Sequence, residues 1–225
     1  IVQKWISVVV WLDISINIVS NMIKIINYGM GNLGSVSKAF KRVGVDSEIV
    51  SDLNDIRETD KIILPGVGHF GRAMANLKSQ DLIQPLNSLV ISRKIPIFGI
   101  CLGMQLFAKG SEECNCEGLG WIDADVKKIE VPHPLKVPHM GWNAIHNKKE
   151  SKIIKNSDVN RFTSFYFVHS YYMDCHDKES ILFTTNYDFE FCSGVEKDNI
   201  FGVQFHPEKS HKRGLSLIKS FATST

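Results

Sequence analysis

The stretch KIPIFGICLGMQLFAKG, residues 94–110, decides how the rest of the chain is read. KIPIF is a short β-prone apolar run. In LGMQLFAKG, Leu102, Gln105, Leu106 and Lys109 fall at helical spacing, with Gly110 as the stop signal. Strand, cysteine and helix in that order make the layout of a nucleophile elbow, a sharp turn that presents one side chain above a sheet. Gly99 and Gly103 flank Cys101 and leave room for close backbone approach. A helix beginning at Leu102 would direct its free N–H groups and positive end at the sulfur, which favours thiolate over thiol. A free cysteine is more commonly a small buried hydrophobe. The stretch alone therefore leaves both roles open for Cys101, and a reactive thiol needs a base from elsewhere.

Outward from this stretch, strand-like and helical runs alternate from Met22 onward. IKIINY, VDSEIV and KIILPG read as strands, and LGSVSKAFKRVG and FGRAMANLKSQDLIQPLNSLVISRK as helices. That alternation predicts an α/β fold, a doubly wound and mostly parallel sheet with helices on both faces. The later half reads as short strands joined by turns (GWIDADVKKIE, FYFVHSYYMD, SILFTTNY, FCSGVEKDN, IFGVQF) and a closing helix, GLSLIKSFAT. These are antiparallel additions to the same sheet. No polar linker, repeat or low-complexity tract interrupts residues 22–225, so they read as a single domain.

Residues 1–21 are largely apolar but interrupted by Asp13. The uninterrupted part is shorter than the roughly 20 residues a membrane span needs, and no small-residue cleavage pattern follows. They read as an extension without function, with Met22 the natural start.

The chain has 225 residues, 44% hydrophobic and 22% charged, which is ordinary for a globular protein. With 26 Lys and Arg against 24 acids, the net charge of +2 provides no global field for nucleic acid or an anionic membrane. Five cysteines without regular spacing argue against a disulfide framework and fit a reducing cytoplasm. Cys114 and Cys116 are too close for usual zinc spacing and have no second pair, so they read as a plain loop. Neither a metal nor another cofactor is expected.

The strand IFGVQF ends in His206-Pro207-Glu208. Side chains two apart in an extended chain share a side, so His206 and Glu208 are expected together, with Pro207 stiffening the exit. A carboxylate beside an imidazole sets its tautomer and stabilises the imidazolium formed when it takes a thiol proton. Cys101 and this pair should meet at the carboxyl edge of the parallel sheet, where open α/β sheets place their ligands. A thiol attacking a carbonyl also needs donors for the oxyanion. LPGVG, residues 64–68, puts the N–H of Val67 or Gly68 at the same edge, with the N–H of Leu102 as second donor.

YGMGNLGSV, LPGVGHFGRAM, GICLGMQ, VPHMGWN, FYFVHSYY and GVQFHPEKS, taken in order, resemble the class I glutamine amidotransferases. Within that family, YGMGN, PHMGWN and FVHSY together are similar to the glutaminase subunits of imidazole glycerol phosphate synthase. The resemblance covers nearly the whole chain apart from the extension, and implies a flavodoxin-like glutaminase acting on L-glutamine. Cys101 would attack the side-chain amide, His206 would shuttle the proton, and Glu208 would orient His206. Gln105 and the backbone around His169, Ser170 and Tyr171 would hold the glutamine head group, and Gly66, Val67 and Gly68 would form the oxyanion strand. The ammonia would pass to a separate (β/α)8-barrel cyclase subunit in histidine biosynthesis. Asn32 and Lys209 fall where the family touches that partner, although a turn asparagine and a solvated lysine are equally good readings of the residues themselves.

Four other readings compete. A second copy of such a subunit can supply ammonia to a surface-sugar synthase. A cysteine hydrolase of similar architecture would lack both the H-P-E strand end and the Gln four residues after the cysteine. A non-enzymatic interaction subunit would have lost Cys101, His206 or Glu208, and all three are present. A thiol-redox protein would carry C-x-x-C at a helix start, a motif this chain lacks.

Overall fold

The computed structural model describes residues 22–160 and 163–225. The reading of residues 1–21 as a functionless extension lies outside them. The chain opens with β1 (Ile23–Ile26), α1 (Leu33–Arg42), β2 (Ser47–Val50), β3 (Lys61–Gly66) and α2 (Phe70–Ser79). Next come α3 (Ile83–Asn87), continued by a π-helical turn over Ser88–Ser92, then β4 (Ile97–Cys101) and α4 (Leu102–Gln105). The middle holds β5 (Gly110–Ser111), β6 (Cys116–Glu117), β7 (Ala124–Lys128), β8 (His139–Ala144), β9 (His146–Asn147) and α5 (Lys152–Lys155). The chain closes with β10 (Ser164–His169), β11 (Tyr171–Cys175), β12 (Ile181–Tyr187), β13 (Phe189–Lys197), β14 (Ile200–Val203) and α6 (His211–Ser224).

The main sheet runs β2-β1-β3-β4-β14-β13-β11-β7-β5-β6. Its first five strands are mutually parallel, in the doubly wound order expected of a flavodoxin-like sheet. The return strand β14 pairs antiparallel with β13, and the expected antiparallel extension follows. Alternation along each buried strand divides the core in two. Ile62 and Leu64 of β3 pack with Phe70, Ala73 and Leu77 of α2 on one face. Ile63 of β3, with Phe98 and Ile100 of β4, packs with Phe40 of α1 and Leu217 and Phe221 of α6 on the other.

Four expectations need correction. The helix after Cys101 stops at Gln105 rather than running to Gly110. The long helix foreseen after residue 70 is broken near Gln80 into α2, α3 and the π-helical turn. FYFVHSYYMD is two strands rather than one: β10 pairs with β8 in a separate two-stranded sheet, and β11 joins the main one, the break falling at Ser170. Finally, Cys114 and Cys116 form a disulfide rather than a plain loop, because Asn115 at φ +48° turns the chain back and brings the two Cα atoms within 5.2 Å. This is a clip across three residues and joins no distant elements. Cys101, Cys175 and Cys192 are free.

Candidate functional site

Cys101 ends β4 at φ +54° and ψ −111°, a conformation that costs a non-glycine residue energy and is held by its surroundings. The surroundings are backbone. A Cβ on Gly103 would lie 1.8 Å from the Leu64 carbonyl oxygen, so only glycine lets the chain turn this close over β3. The sharp turn expected of an elbow is therefore present. Because α4 is a single turn, the macrodipole foreseen behind the sulfur is much reduced. What remains is the N–H of Leu102, which as a first helical residue has no intrahelical acceptor.

β14 lies parallel beside β4, with Val203 opposite Ile100, and carries the chain on to His206. His206 Nδ1 and Glu208 Oε1 are 2.9 Å apart, with side chains 2% and 3% exposed. Their proximity comes from a tight 3-10 turn over Pro207–Lys209, rather than from the strand alternation that predicted it. The turn is pinned by Ser210, whose hydroxyl donates to the His206 carbonyl at 2.6 Å. Burial pulls the His206 imidazolium down, but the Cys101 sulfur and the Glu208 carboxylate outweigh it and raise the imidazole to about 10. With Nδ1 committed to Glu208, Nε2 is buried without a hydrogen-bond partner among the described residues. A proton-transfer group so placed needs a partner atom, and Cys101 is the neighbour that favours its charge.

The glycine turn expected to receive the oxyanion follows β3 at the same sheet edge, since Gly66 stands opposite Cys101. The Tyr28 hydroxyl donates to the Pro65 carbonyl at 2.8 Å, fixing the start of the turn. Burial and the nearby Cys101 push the Tyr28 phenol well above its usual range, so it stays a neutral donor. Beyond that anchor Val67 is exposed and Gly68 adopts φ +105°. Glu113 Oε2 accepts from the Phe70 N–H at 2.6 Å, bringing a carboxylate to the helix that follows this turn.

Gln105 is buried, and its Nε2 donates to the Tyr171 carbonyl and to Gln204 Oε1, both at 2.9 Å. His169 does not offer its ring to a ligand. Its Nδ1 lies 2.8 Å from the Tyr171 carbonyl and its Nε2 lies 2.9 Å from His139 Nδ1. Burial lowers His169 to about 3 and His139 to about 4, so both rings are neutral near pH 7. Ser170 accepts from the Ile129 N–H through its carbonyl where the two sheets part. Asn32 caps α1 through its side chain, accepting from the Ser35 N–H at 3.0 Å, and Lys209 is exposed with its ammonium 5.9 Å from the Tyr166 ring centre. Those two residues are thus not part of the Cys101 cluster.

Sequence reasoning missed Gln204, Tyr28, His139 and Glu113. A signal for Gln204 was available: in the strand-like reading of IFGVQF it falls two residues before His206, and so on the same side. Tyr28, His139 and Glu113 come from loops and a second sheet, with no local pattern to mark them.

Among the described residues no helix is long and apolar enough to cross a membrane. The family model described as "Glutamine amidotransferase class-I" matches residues 24–224. A Methanococcus maripaludis protein named "Imidazole glycerol phosphate synthase subunit HisH 2" is 50% identical over 204 residues, covering 89% of this chain and 98% of the relative. A Pseudomonas aeruginosa protein of the same name is 45% identical over 200 residues, covering 89% and 98%. Among solved structures, PurLQS from Thermotoga maritima matches with a TM-score of 0.68 at 17% identity, over 90% of this chain and 97% of that one, a likeness of fold.

Proposed function

The chain belongs to the class I glutamine amidotransferase family, and on that premise we propose how its site works and which synthase it serves. It is the glutaminase subunit of an imidazole glycerol phosphate synthase, the function named for its relatives. Those names favour the histidine pathway over a surface-sugar synthase. The partner is a cyclase subunit, and we take it to be a (β/α)8 barrel that receives ammonia from the glutaminase.

The observation that carries the mechanism is the buried His206–Glu208 pair, held beside a cysteine at positive φ. The Cys101 sulfur attacks the side-chain carbonyl carbon of glutamine, with His206 holding the proton as imidazolium. The oxyanion is received by the N–H of Leu102 and that of Val67 or Gly68. His206 passes its proton to the departing nitrogen, ammonia leaves, and a thioester remains. Water, deprotonated by His206, then attacks the thioester, releasing glutamate and restoring the thiolate–imidazolium pair. Gln105 and the Tyr171 backbone border the head-group site, and Glu113 supplies a carboxylate suited to the α-ammonium of glutamine.

Cys101→Ser tests this. In the complex with the cyclase subunit, glutamine-dependent synthesis should disappear, while synthesis from added ammonia persists. Equal loss of both in an assembled complex would make Cys101 a structural residue and overturn the reading.

A further inference from the structure

Gln204 follows β14 directly. Val203 stands opposite Ile100, and Gln204, one residue on, reaches Cys101 through its side chain. The side chain is wholly buried, and a buried primary amide has two N–H groups and one carbonyl to satisfy.

Which end faces the sulfur follows from bonds anchored on the main chain. Gln105 meets the Tyr171 carbonyl at 2.9 Å, and a carbonyl only accepts, so the Gln105 atom there is Nε2. The same nitrogen lies 2.9 Å from the Gln204 side chain, so the atom it meets is the acceptor, Oε1. Gln204 Nε2 is then the end turned to Cys101 Sγ, at 3.6 Å. The anchor itself is steadied by His169, bonded to the same Tyr171 carbonyl and backed by His139.

We infer that Gln204 is a further catalytic residue, whose Nε2–H donates to the Cys101 sulfur and holds it as a thiolate, with Gln105 orienting that amide. The inference rests on the reading of Cys101 as nucleophile. A donor to the charged form favours that form. Unlike His206, Gln204 never surrenders its proton, so its bond is available at both stages in which the sulfur is anionic. These are the resting pair, and the departure of thiolate when water opens the thioester. The inference also limits what Gln105 offers a substrate. Both of its amide hydrogens are engaged within the protein, so its carbonyl oxygen is the atom left to accept from glutamine.

Three variants separate the roles. Gln204→Met keeps the shape and removes both the donor to sulfur and the acceptor for Gln105 without adding charge, so it carries the test. Gln204→Glu keeps the acceptor but sets a carboxylate against the sulfur, a stronger perturbation in the same direction. Gln105→Leu leaves Cys101 untouched but frees Gln204 to turn. The readouts are the pH dependence of Cys101 alkylation by iodoacetamide in the free chain, and kcat and KM for glutamine in the complex with the cyclase subunit. The midpoint of alkylation should move upward by about one pH unit in both Gln204 variants, and in the same direction in Gln105→Leu. In Gln204→Met, kcat should fall about tenfold or more, with KM moved far less. A merely structural role would lower the melting temperature without moving the alkylation midpoint. Midpoints equal to wild type in all folded variants would overturn the inference. Retained glutamine hydrolysis in Cys101→Ser would instead overturn the reading beneath it.

Discussion

His206 is a residue whose charge the fold sets against its own burial. Two groups favour its imidazolium, the Cys101 sulfur and the Glu208 carboxylate, and they overcome a burial that opposes it. The two neighbours do different work. Removing His206 removes the proton carrier, whereas Glu208→Gln leaves the carrier with a looser ring. His206→Ala should therefore slow thioester formation severely, and Glu208→Gln should do so less, in single-turnover assays with glutamine. The reverse order would mean that the two roles are exchanged. Linkage adds a second readout. An imidazole raised from 6.5 to about 10 binds its proton more tightly folded than unfolded, so its contribution to stability is whole below pH 6.5 and is lost as pH rises towards 10. Glu208→Gln removes part of that contribution. Its stability deficit against wild type, measured by urea unfolding, should be widest near pH 6.5 and narrow as pH approaches 10.

At the scale of elements, the elbow depends on how closely β4 and the turn after it lie over β3. A methyl group at Gly103 has no space beside the Leu64 carbonyl, and backbone cannot step aside as a flexible side chain can. Gly103→Ala should cost about 3 kcal/mol, the upper end of over-packing, or leave no folded chain, as read by the urea midpoint. A loss below 1 kcal/mol would show that the turn has slack. This element was legible in the sequence, because a strand, two glycines and a cysteine are local signals. Its length was not. Leu106, Phe107 and Ala108 carry helical spacing, but their carbonyls accept from the N–H groups of Leu119, Gly120, Trp121 and Ile122, which fold back over them and end α4. The same limit explains FYFVHSYY: alternation predicts strand on both sides of Ser170, but cannot say that β10 pairs with β8 and β11 with β7. Parallel order and the His206–Glu208 pairing were readable from pattern, although a turn rather than a strand end joins that pair. Gln204, buried in an apolar run, resembles core until its hydrogen bonds are followed.

At the scale of the whole molecule, the site has a buried side and an exposed side. Cys101, Gln105, Gln204 and His206 are buried and bonded, but Val67 in the oxyanion turn is 42% exposed and Gly68 sits at φ +105°. Met140 and Trp142 of β8 are 62% and 50% exposed, large apolar side chains only partly covered in the isolated chain, Trp142 on one face by His211. Apolar exposure of this kind suits a protein surface that is covered in a complex. A glutaminase that ran without its acceptor would discard ammonia, and the exposed turn after β3, our proposed oxyanion turn, is where a partner would gate it. One absent oxyanion donor typically costs a hundred- to a thousand-fold in rate, about 3–4 kcal/mol of transition-state stabilisation. A partner needs only that much preference for the competent turn to restore it. The isolated chain should therefore hydrolyse glutamine very slowly, and its kcat should rise by about two orders of magnitude or more with the cyclase subunit and its acceptor ligand bound. Steady-state glutaminase assays of the chain alone, with partner, and with partner and ligand decide the matter. Full turnover by the isolated chain would show that the oxyanion turn is already competent, leaving the roles of Cys101, His206 and Glu208 as they stand.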